Sequence, residues 1–453
     1  MPKISLVNLS DLYGAYRWDA ECYEPDVLRD AHALAHFPTV KLGDISYITD
    51  GQHGYHEVDE ESQIRHITAR CVEGGVVTDT KADRLSLMTH NANVRSQLKT
   101  GDVLLSTAGT IGEAGIVGND ILPANIDQDV ARIALNDDAP IDPYFLVAFL
   151  RSELGRFQSS RATTGQIQGH IALGALREFD IPIVQDQSKI VSLMRRGVRA
   201  RGLATQLLKD AESLLIESMG LSRLNLSTSL FYEREFTDLQ AARRFGAEYF
   251  MPCKQRALDK LSQLPSRPLA EHYRSVRKLF DPRDAVRGQK LRNFDLTDAL
   301  DPVLDDRLEP VPALSIGSTK KRFQAGDIVI SRLRSYLREI ALVRTGPSVE
   351  AVGSSEFIVL RSNAETKKNG LTPETLLIYL RSLPVQTILK WSQDGSQHPR
   401  FNEADLLAVP VPAALEGVSP GITQLVNKAL AGRKEATTLL EEAKLEVERM
   451  ILT

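Results

Sequence analysis

Two histidines lie three residues apart in Asp50-Gly51-Gln52-His53-Gly54-Tyr55-His56, a spacing that could hold a metal ion. No third ligand accompanies them, and the three cysteines (Cys22, Cys71, Cys253) are scattered without paired spacing, so no metal is expected. A loop, or side chains that touch nucleic-acid bases, accounts for the histidines better. The glycines of Gly109-Thr110-Ile111-Gly112-Glu113-Ala114-Gly115 are wrongly spaced for a dinucleotide-binding turn, and a hairpin between two strands explains them. Phosphate loops, His-Glu-x-x-His and the Asn-Pro-Pro-aromatic motif of amino-methyltransferases are all absent. What remains is chemistry of hydrogen bonding and charge, which points to a protein that binds rather than reacts.

The elements that must position these groups occur twice. Arg17-Trp18-Asp19-Ala20-Glu21 returns as Arg244-Phe245-Gly246-Ala247-Glu248, and Gly101-Asp102-Val103-Leu104-Leu105-Ser106 as Gly326-Asp327-Ile328-Val329-Ile330-Ser331. Phe145 to Ser152 returns as Thr375 to Ser382, and Ile181-Pro182-Ile183 as Val409-Pro410-Val411. A period this long lies far beyond solenoid repeats and indicates a duplicated domain. In the first copy a short helix over 24–35 is followed by short apolar runs (41–49, 103–106, 115–117, 131–135) broken by Gly, Asp and Asn turn signals, which read as strands. Pro143 opens a helix expected to run over 144–160, and a polar loop over 163–169 leads to a short helix near 173–177 and an extended exit over 179–184. The second copy keeps this order: a β-rich section, a helix over 373–383, a polar loop over 392–397, then an extended stretch over 408–411.

Each copy ends in a long helix, one over about 187–219 and one from about Pro420 onward. A shift of 232 residues places Ile190 on Ile422, Met194 on Val426, Leu208 on Leu440, Ala211 on Ala443 and Leu215 on Val447. These positions recur with the seven-residue spacing of a coiled-coil seam, and the alanines allow close approach. Antiparallel pairing of the two helices is expected; packing of each helix on its own domain is the alternative.

The chain carries a formal net charge of -4, which argues against indiscriminate binding to nucleic acid but leaves room for a local basic groove. No run of 18 apolar residues exists, and Met1-Pro2-Lys3-Ile4-Ser5 does not read as a signal peptide, so a cytoplasmic protein with no membrane partner is expected.

Lys41-Leu42-Gly43-Asp44-Ile45, Asp50-Gly51-x-His53, Leu98-x-x-Gly101-Asp102-Val103-Leu104-Leu105-Ser106, Gly109-Thr110-Ile111-Gly112, Asn125-x-Asp127-Gln128-Asp129-Val130-Ala131 and Thr164-Gly165-x-Ile167-Gln168, closed by Ile181-Pro182 and a long helix, resemble the target-recognition domain of type I restriction–modification specificity subunits. The resemblance covers essentially the whole chain, because the second half repeats the plan. It implies an α+β fold: two pseudo-twofold-related target-recognition domains, each a β-rich core with helices, joined by two long antiparallel coiled-coil helices. The expected divisions are 1–186, 187–222, 223–415 and 416–453. About 33 helical residues would span on the order of 50 Å, a ruler between two half-sites.

The resemblance also implies double-stranded DNA as ligand and two methyltransferase (modification) subunits as partners, with restriction or translocase subunits optional. S-adenosylmethionine, and ATP with Mg where restriction occurs, would belong to those partners, and this chain itself would carry no cofactor. Groups suited to base edges and phosphates are Gln52, His53, Thr107, Thr110, Thr163, Thr164, Gln166, Gln168 and His170 in the first copy, and Arg332, Arg334, Tyr336, Arg338, Ser392, Gln393, Gln397 and Arg400 in the second. The basic run Lys320-Lys321-Arg322 reads equally as a solvated turn or a phosphate contact. The strand and helix positions match between copies, whereas the polar loops do not, as expected when one scaffold carries two readers. A recognition subunit of another phage-defence assembly, or a protein–protein scaffold without DNA, are the competing readings.

Overall fold

The computed structural model describes residues 4–8, 23–54, 58–59, 62–79, 82–165, 169–229, 231–364, 366 and 370–452. The chain is a mixed α+β protein that divides into two compact units, Met1–Gly202 with Gly432–Thr453, and Leu203–Ala431. Each unit therefore takes part of both long helices, a division different from the four consecutive segments expected from the sequence.

In the first unit a six-stranded sheet runs in the order Ser46–Thr49, Val130–Leu135, Val103–Ser106, Ala114–Ile116, Gly75–Val77, Val72–Glu73. All neighbours are antiparallel except Gly75–Val77 against Ala114–Ile116. A three-stranded sheet, Asp83–Leu85, Ile64–Ile67, Ala124–Ile126, lies beside it in sequence and ends in a parallel pair. In the second unit the sheets run Tyr273–Ser275, Phe357–Ser362, Ile328–Ser331, Ile340–Val343, Val303–Leu304 and Leu279–Phe280, Lys320–Phe323, Ala351–Gly353, Lys290–Phe294, Val311–Pro312. The parallel pairs recur in the same places. The duplicated sequence is thus a duplicated topology.

The continuous apolar run at the centre of each sheet has a simple cause. Val103 and Leu105 face one cluster, with Phe145 and Phe149, while Leu104 faces another, with Ile67 and Ile126. Ile328 and Ile330 against Val329 repeat this division. A strand with both faces covered has no reason to alternate with polar residues. The aspartate just before each run is buried and gripped by one arginine. Arg132 donates to Asp102 at 2.6 and 3.2 Å, and Arg361 donates to Asp327 at 2.7 and 2.8 Å. In both copies the same carboxylate also accepts a backbone N–H three residues earlier, from Lys99 and Gln324. The Gly-Asp motif is therefore a scaffold joint and not part of a reading surface.

The expected helix over 144–160 is broken. Pro143–Arg151 and Glu153–Ala162 are separate helices, because Ser152 is extended (φ -67°, ψ 167°) and its hydroxyl donates to the carbonyl of Phe149 at 2.6 Å while capping Gly155. Ser382 breaks the second copy at the same place, between Pro373–Arg381 and Leu383–Lys390. The expected strand over 41–49 is likewise divided, into Thr39–Lys41 and Ser46–Thr49, by a turn at Leu42–Asp44.

The long helices are Ser188–Ser218 and Ala414–Leu452. The second starts before the expected Pro420, which lies inside it; the buried Ser419 hydroxyl bonds Thr372 and Thr375 there. Within the first unit the pairing is antiparallel: Lys189 meets Glu446 at 2.7 Å, and a Cβ on Gly197 would sit 2.7 Å from Leu440. Within the second, Gly421 faces Leu214. Ile190, Met194, Leu440, Ala443 and Val447 are buried in the cluster of Phe145 and Phe149, and Ala211, Leu215, Ile422 and Val426 in that of Leu376 and Tyr379, with half-buried Leu208 against it. The seam residues thus pair the helices as expected, and packing of each helix on its own domain holds for only half of it: Ala211 and Leu215 join the core of the second copy, and Leu440, Ala443 and Val447 that of the first. No helix among the described residues is long and apolar enough to cross a membrane.

Candidate nucleic-acid interface

Three loops converge at one edge of each unit, and their backbones are wired alike. In the first, Thr107 N donates to Asp129 O (2.8 Å), Ile171 N donates to Thr107 O (2.9 Å), and Ala108 bridges His170. In the second, Arg332 N donates to Glu356 O (3.2 Å), Phe401 N donates to Arg332 O (3.1 Å), and Leu333 bridges Arg400. These bonds make Thr107 equivalent to Arg332, Asp129 to Glu356 and His170 to Arg400. The strand ends agree: Ser106 N reaches Glu113 O and Ser331 N reaches Glu339 O, so Gly112 matches Arg338 and Gly109 matches Arg334. All four of these residues are left-handed, at φ 70° and 81° for the glycines and 47° and 54° for the arginines.

The side chains on this shared backbone differ. In the first copy Thr107 is 1 % exposed, which corrects its assignment to the DNA-facing set: its methyl and hydroxyl belong to the interior. Thr110 is exposed, with its hydroxyl on Ala69 O at 3.1 Å; Thr163 is half-buried and bonds Ser159 O at 2.7 Å; Thr164 and His170 are exposed on paired short strands. Gln52 accepts from Asn93 at 2.8 Å, and its backbone bridges Asp127. His53 is largely exposed and pairs with Asp50 at 3.0 Å. Gln166, Gln168 and the metal reading of His56 fall outside the described residues, and no cluster suited to a metal ion is found among those described. Arg70 and Arg95, both exposed at this edge, were not singled out from the sequence; Arg95 meets Asp50 at 3.3 Å.

In the second copy Arg332 and Arg400 converge on one carboxylate. Arg332 Nε donates to Glu356 at 2.8 Å, and Arg400 donates through Nε and Nη2 at 2.9–3.3 Å. Arg334 Nη2 reaches Gln397 O and His398 Nδ1 at 3.4 and 3.3 Å. Tyr336 is 53 % exposed at the tip, and Gln397 is exposed. Arg338 is half-buried, and its carbonyl accepts from Arg381 at 3.2 Å. Gln393 is half-buried and bonds Pro399 O at 3.4 Å. Ser392 is 2 % exposed with its hydroxyl on Ile388 O at 2.7 Å, which corrects its assignment too: it closes a helix and does not face outward. The run Lys320-Lys321-Arg322 is a strand and not a turn, and each member has an internal partner, in Asp295, Phe357 O and Glu350.

Electrostatics separates the two edges. Burial, reinforced by Asp129, raises the Asp127 carboxyl to about 7, so the first edge carries a group that titrates near neutrality. The Arg400 and Arg332 hydrogen bonds hold Glu356 down at about 2, so the second edge keeps a fixed anion ringed by cations. Lys321, lowered by burial, senses both Arg332 and Glu356. Sequence reasoning had not assigned Glu356 a role; its signal was an acid at the position of Asp129 between two basic loops.

The sequence matches no protein-family model and no curated protein. Among solved structures, similar chains are type I restriction–modification specificity subunits. The S subunit from M. genitalium is 14% identical over 92% of this chain and 95% of its own, at a TM-score of 0.38. The HsdS subunit from Thermoanaerobacter tengcongensis is 15% identical over 92% and 95%, at 0.28. A chain from a structure on assembly and conformational transition of the type I system is 16% identical over 92% and 96%, at 0.28.

Proposed function

We propose that this chain is a non-catalytic, sequence-specific DNA-recognition subunit of a type I restriction–modification complex, in which each repeat reads one half of an asymmetric bipartite site. The observation that carries the reading is that the backbone bonds at the base of the loops recur in both copies while the side chains differ, with Thr107, Gly109, Gly112 and His170 standing where the second copy has Arg332, Arg334, Arg338 and Arg400. Base edges are read by such donors and acceptors, and phosphates by the flanking cations. A scaffold held constant under changed donors is what two different base sequences require. The second copy, rich in arginine, suits guanine; the first, with Gln52, Thr164 and His170, suits mixed edges.

The remaining chemistry falls to partners. Two methyltransferase subunits would bring S-adenosylmethionine and extrude the target base, and restriction subunits, where they join, would bring ATP and Mg. The long helices would hold the half-sites at a fixed gap. Selection by the full chain with its methyltransferase subunits from randomised duplexes should return two unlike short blocks at constant separation. A single contiguous block, or a perfect palindrome, would sink the reading. The isolated chain should transfer no methyl group from labelled S-adenosylmethionine.

A further inference from the structure

The three-loop edge of the second unit holds two arginines against one carboxylate, and the two are bound differently. Arg400 is fully engaged: Nε and Nη2 lie on Glu356, and Nη1 donates to His398 O at 3.0 Å. Arg332 gives only Nε to Glu356, and among the described residues no acceptor meets its Nη1 or Nη2. Its backbone is held at both ends, by Glu356 O and Phe401 N, so the side chain starts from a fixed point. Nearly half of that side chain is exposed. A guanidinium tethered through Nε projects two parallel N–H donors outward, the fork that fits O6 and N7 of guanine.

We infer that Glu356 is a specificity-positioning residue, anchored by Arg400, that aims the free Nη pair of Arg332 at one guanine of the second half-site. This rests on the DNA reading proposed above and gives the two arginines separate functions, with Arg332 contacting the base while Arg400 and Glu356 brace it. Stability alone does not explain the arrangement: Arg400 already holds Glu356 through Nε and Nη2, and among the described residues the Nη pair of Arg332 adds no bond to the fold. A carboxylate at a DNA-facing edge is also unfavourable toward phosphate, and removing it for electrostatic reasons alone should strengthen binding. A bracing carboxylate therefore predicts opposite signs for affinity and for discrimination.

The test uses the full chain with its methyltransferase subunits and a pool of synthetic duplexes randomised across the second block, together with one fixed non-target duplex. Arg332→Ala should abolish preference at a single G·C pair, about 5- to 150-fold. Glu356→Ala should weaken preference at that same pair while affinity for the non-target duplex holds or rises. Glu356→Gln, which keeps one acceptor, should fall between, and Arg400→Ala should follow Glu356→Ala in discrimination. Melting temperatures close to the parent's establish that the variants are folded. The inference is overturned if Glu356→Ala keeps the parent's preference at the Arg332 pair, if it lowers target and non-target affinity by one factor, or if Arg332→Ala changes no single position. A parent that selects no sequence at all overturns the DNA reading itself; a parent that selects two blocks with indifferent Glu356 variants overturns only this assignment.

Discussion

Gly109 and Gly112 in the first copy occupy the same left-handed backbone positions as Arg334 and Arg338 in the second. Glycine adopts this conformation freely, whereas an L-residue with a Cβ meets steric cost of about 1–2 kcal/mol at each position. The second loop is one residue longer between these points, with Ser335-Tyr336-Leu337 where the first has Thr110-Ile111, yet the flanking hydrogen bonds are kept. The first copy has the relaxed version of the turn and the second a strained one. Strain that persists in one of two otherwise equal sites is a reason to test the side chains that cause it for function.

The comparison can be broken most severely by forcing the first copy to resemble the second. Gly109→Arg with Gly112→Arg should cost about 2–4 kcal/mol of folding stability in the first unit, since a Cβ at Gly112 also meets Ser159 at 3.1 Å. Chemical denaturation measures it; a neutral double variant would mean that the loop backbones are not equivalent.

A second contrast is Asp127 against its counterpart Ser354, each of which accepts the backbone N–H two residues on. Because the folded state raises the Asp127 carboxyl to about 7 from its ordinary 3.8, protonation favours folding. Its contribution is complete below about pH 4 and is lost as pH rises through 7. Asp127→Asn should remove that loss, gaining on the order of 4 kcal/mol at pH 8 and little at pH 4. Denaturation curves of parent and variant that stay parallel across this window would refute it.

The converse of the glycine exchange has a smaller effect on stability and a larger meaning. Arg334→Gly and Arg338→Gly should leave melting unchanged or raise stability by about 1 kcal/mol, while preference or affinity at the second half-site falls and the first is untouched. Loss of stability together with unchanged DNA selection would make these arginines structural. A contrast in stability alone lies at the helix breaks: Ser152→Ala should cost about 0.5–2 kcal/mol, because its hydroxyl caps the next helix, and Ser382→Ala less, because no such cap bond forms there. Thermal melts of the two variants check the order.

Which of these features could be read without coordinates depends on how local their causes are. The apolar runs at 103–105 and 328–330 and the helix start at Pro143 follow from composition and spacing, and the structure has them as expected. Heptad spacing in the long helices also reported burial correctly, though not that half of each helix would close the core of the other copy. The break at Ser152 was hidden because a single serine turns one helix into two without disturbing the apolar periodicity. Thr107 and Ser392 looked like readers because polarity alone does not say which way a hydroxyl points; one is interior and the other closes a helix. Glu356 was passed over because an acid is not what a DNA edge suggests, and only the convergence of Arg332 and Arg400 reveals what it holds.

The membership of Leu440, Ala443, Val447 and Ile451 in the same cluster as Phe145 and Phe149 bears on the order in which the molecule can be made. On the ribosome the strands and helices of the first copy emerge early, but their apolar face stays open until Gly432–Leu452 has been translated. The whole of Leu203–Ala431 is synthesised in between, and it can close its own core first. Vectorial synthesis ordinarily lets the leading domain finish first; here the leading domain waits for the trailing helix. A nascent chain stalled short of Gly432 would leave Ile190 and Met194 without Leu440, Ala443 and Val447 of their cluster, an apolar surface of the kind that chaperones hold.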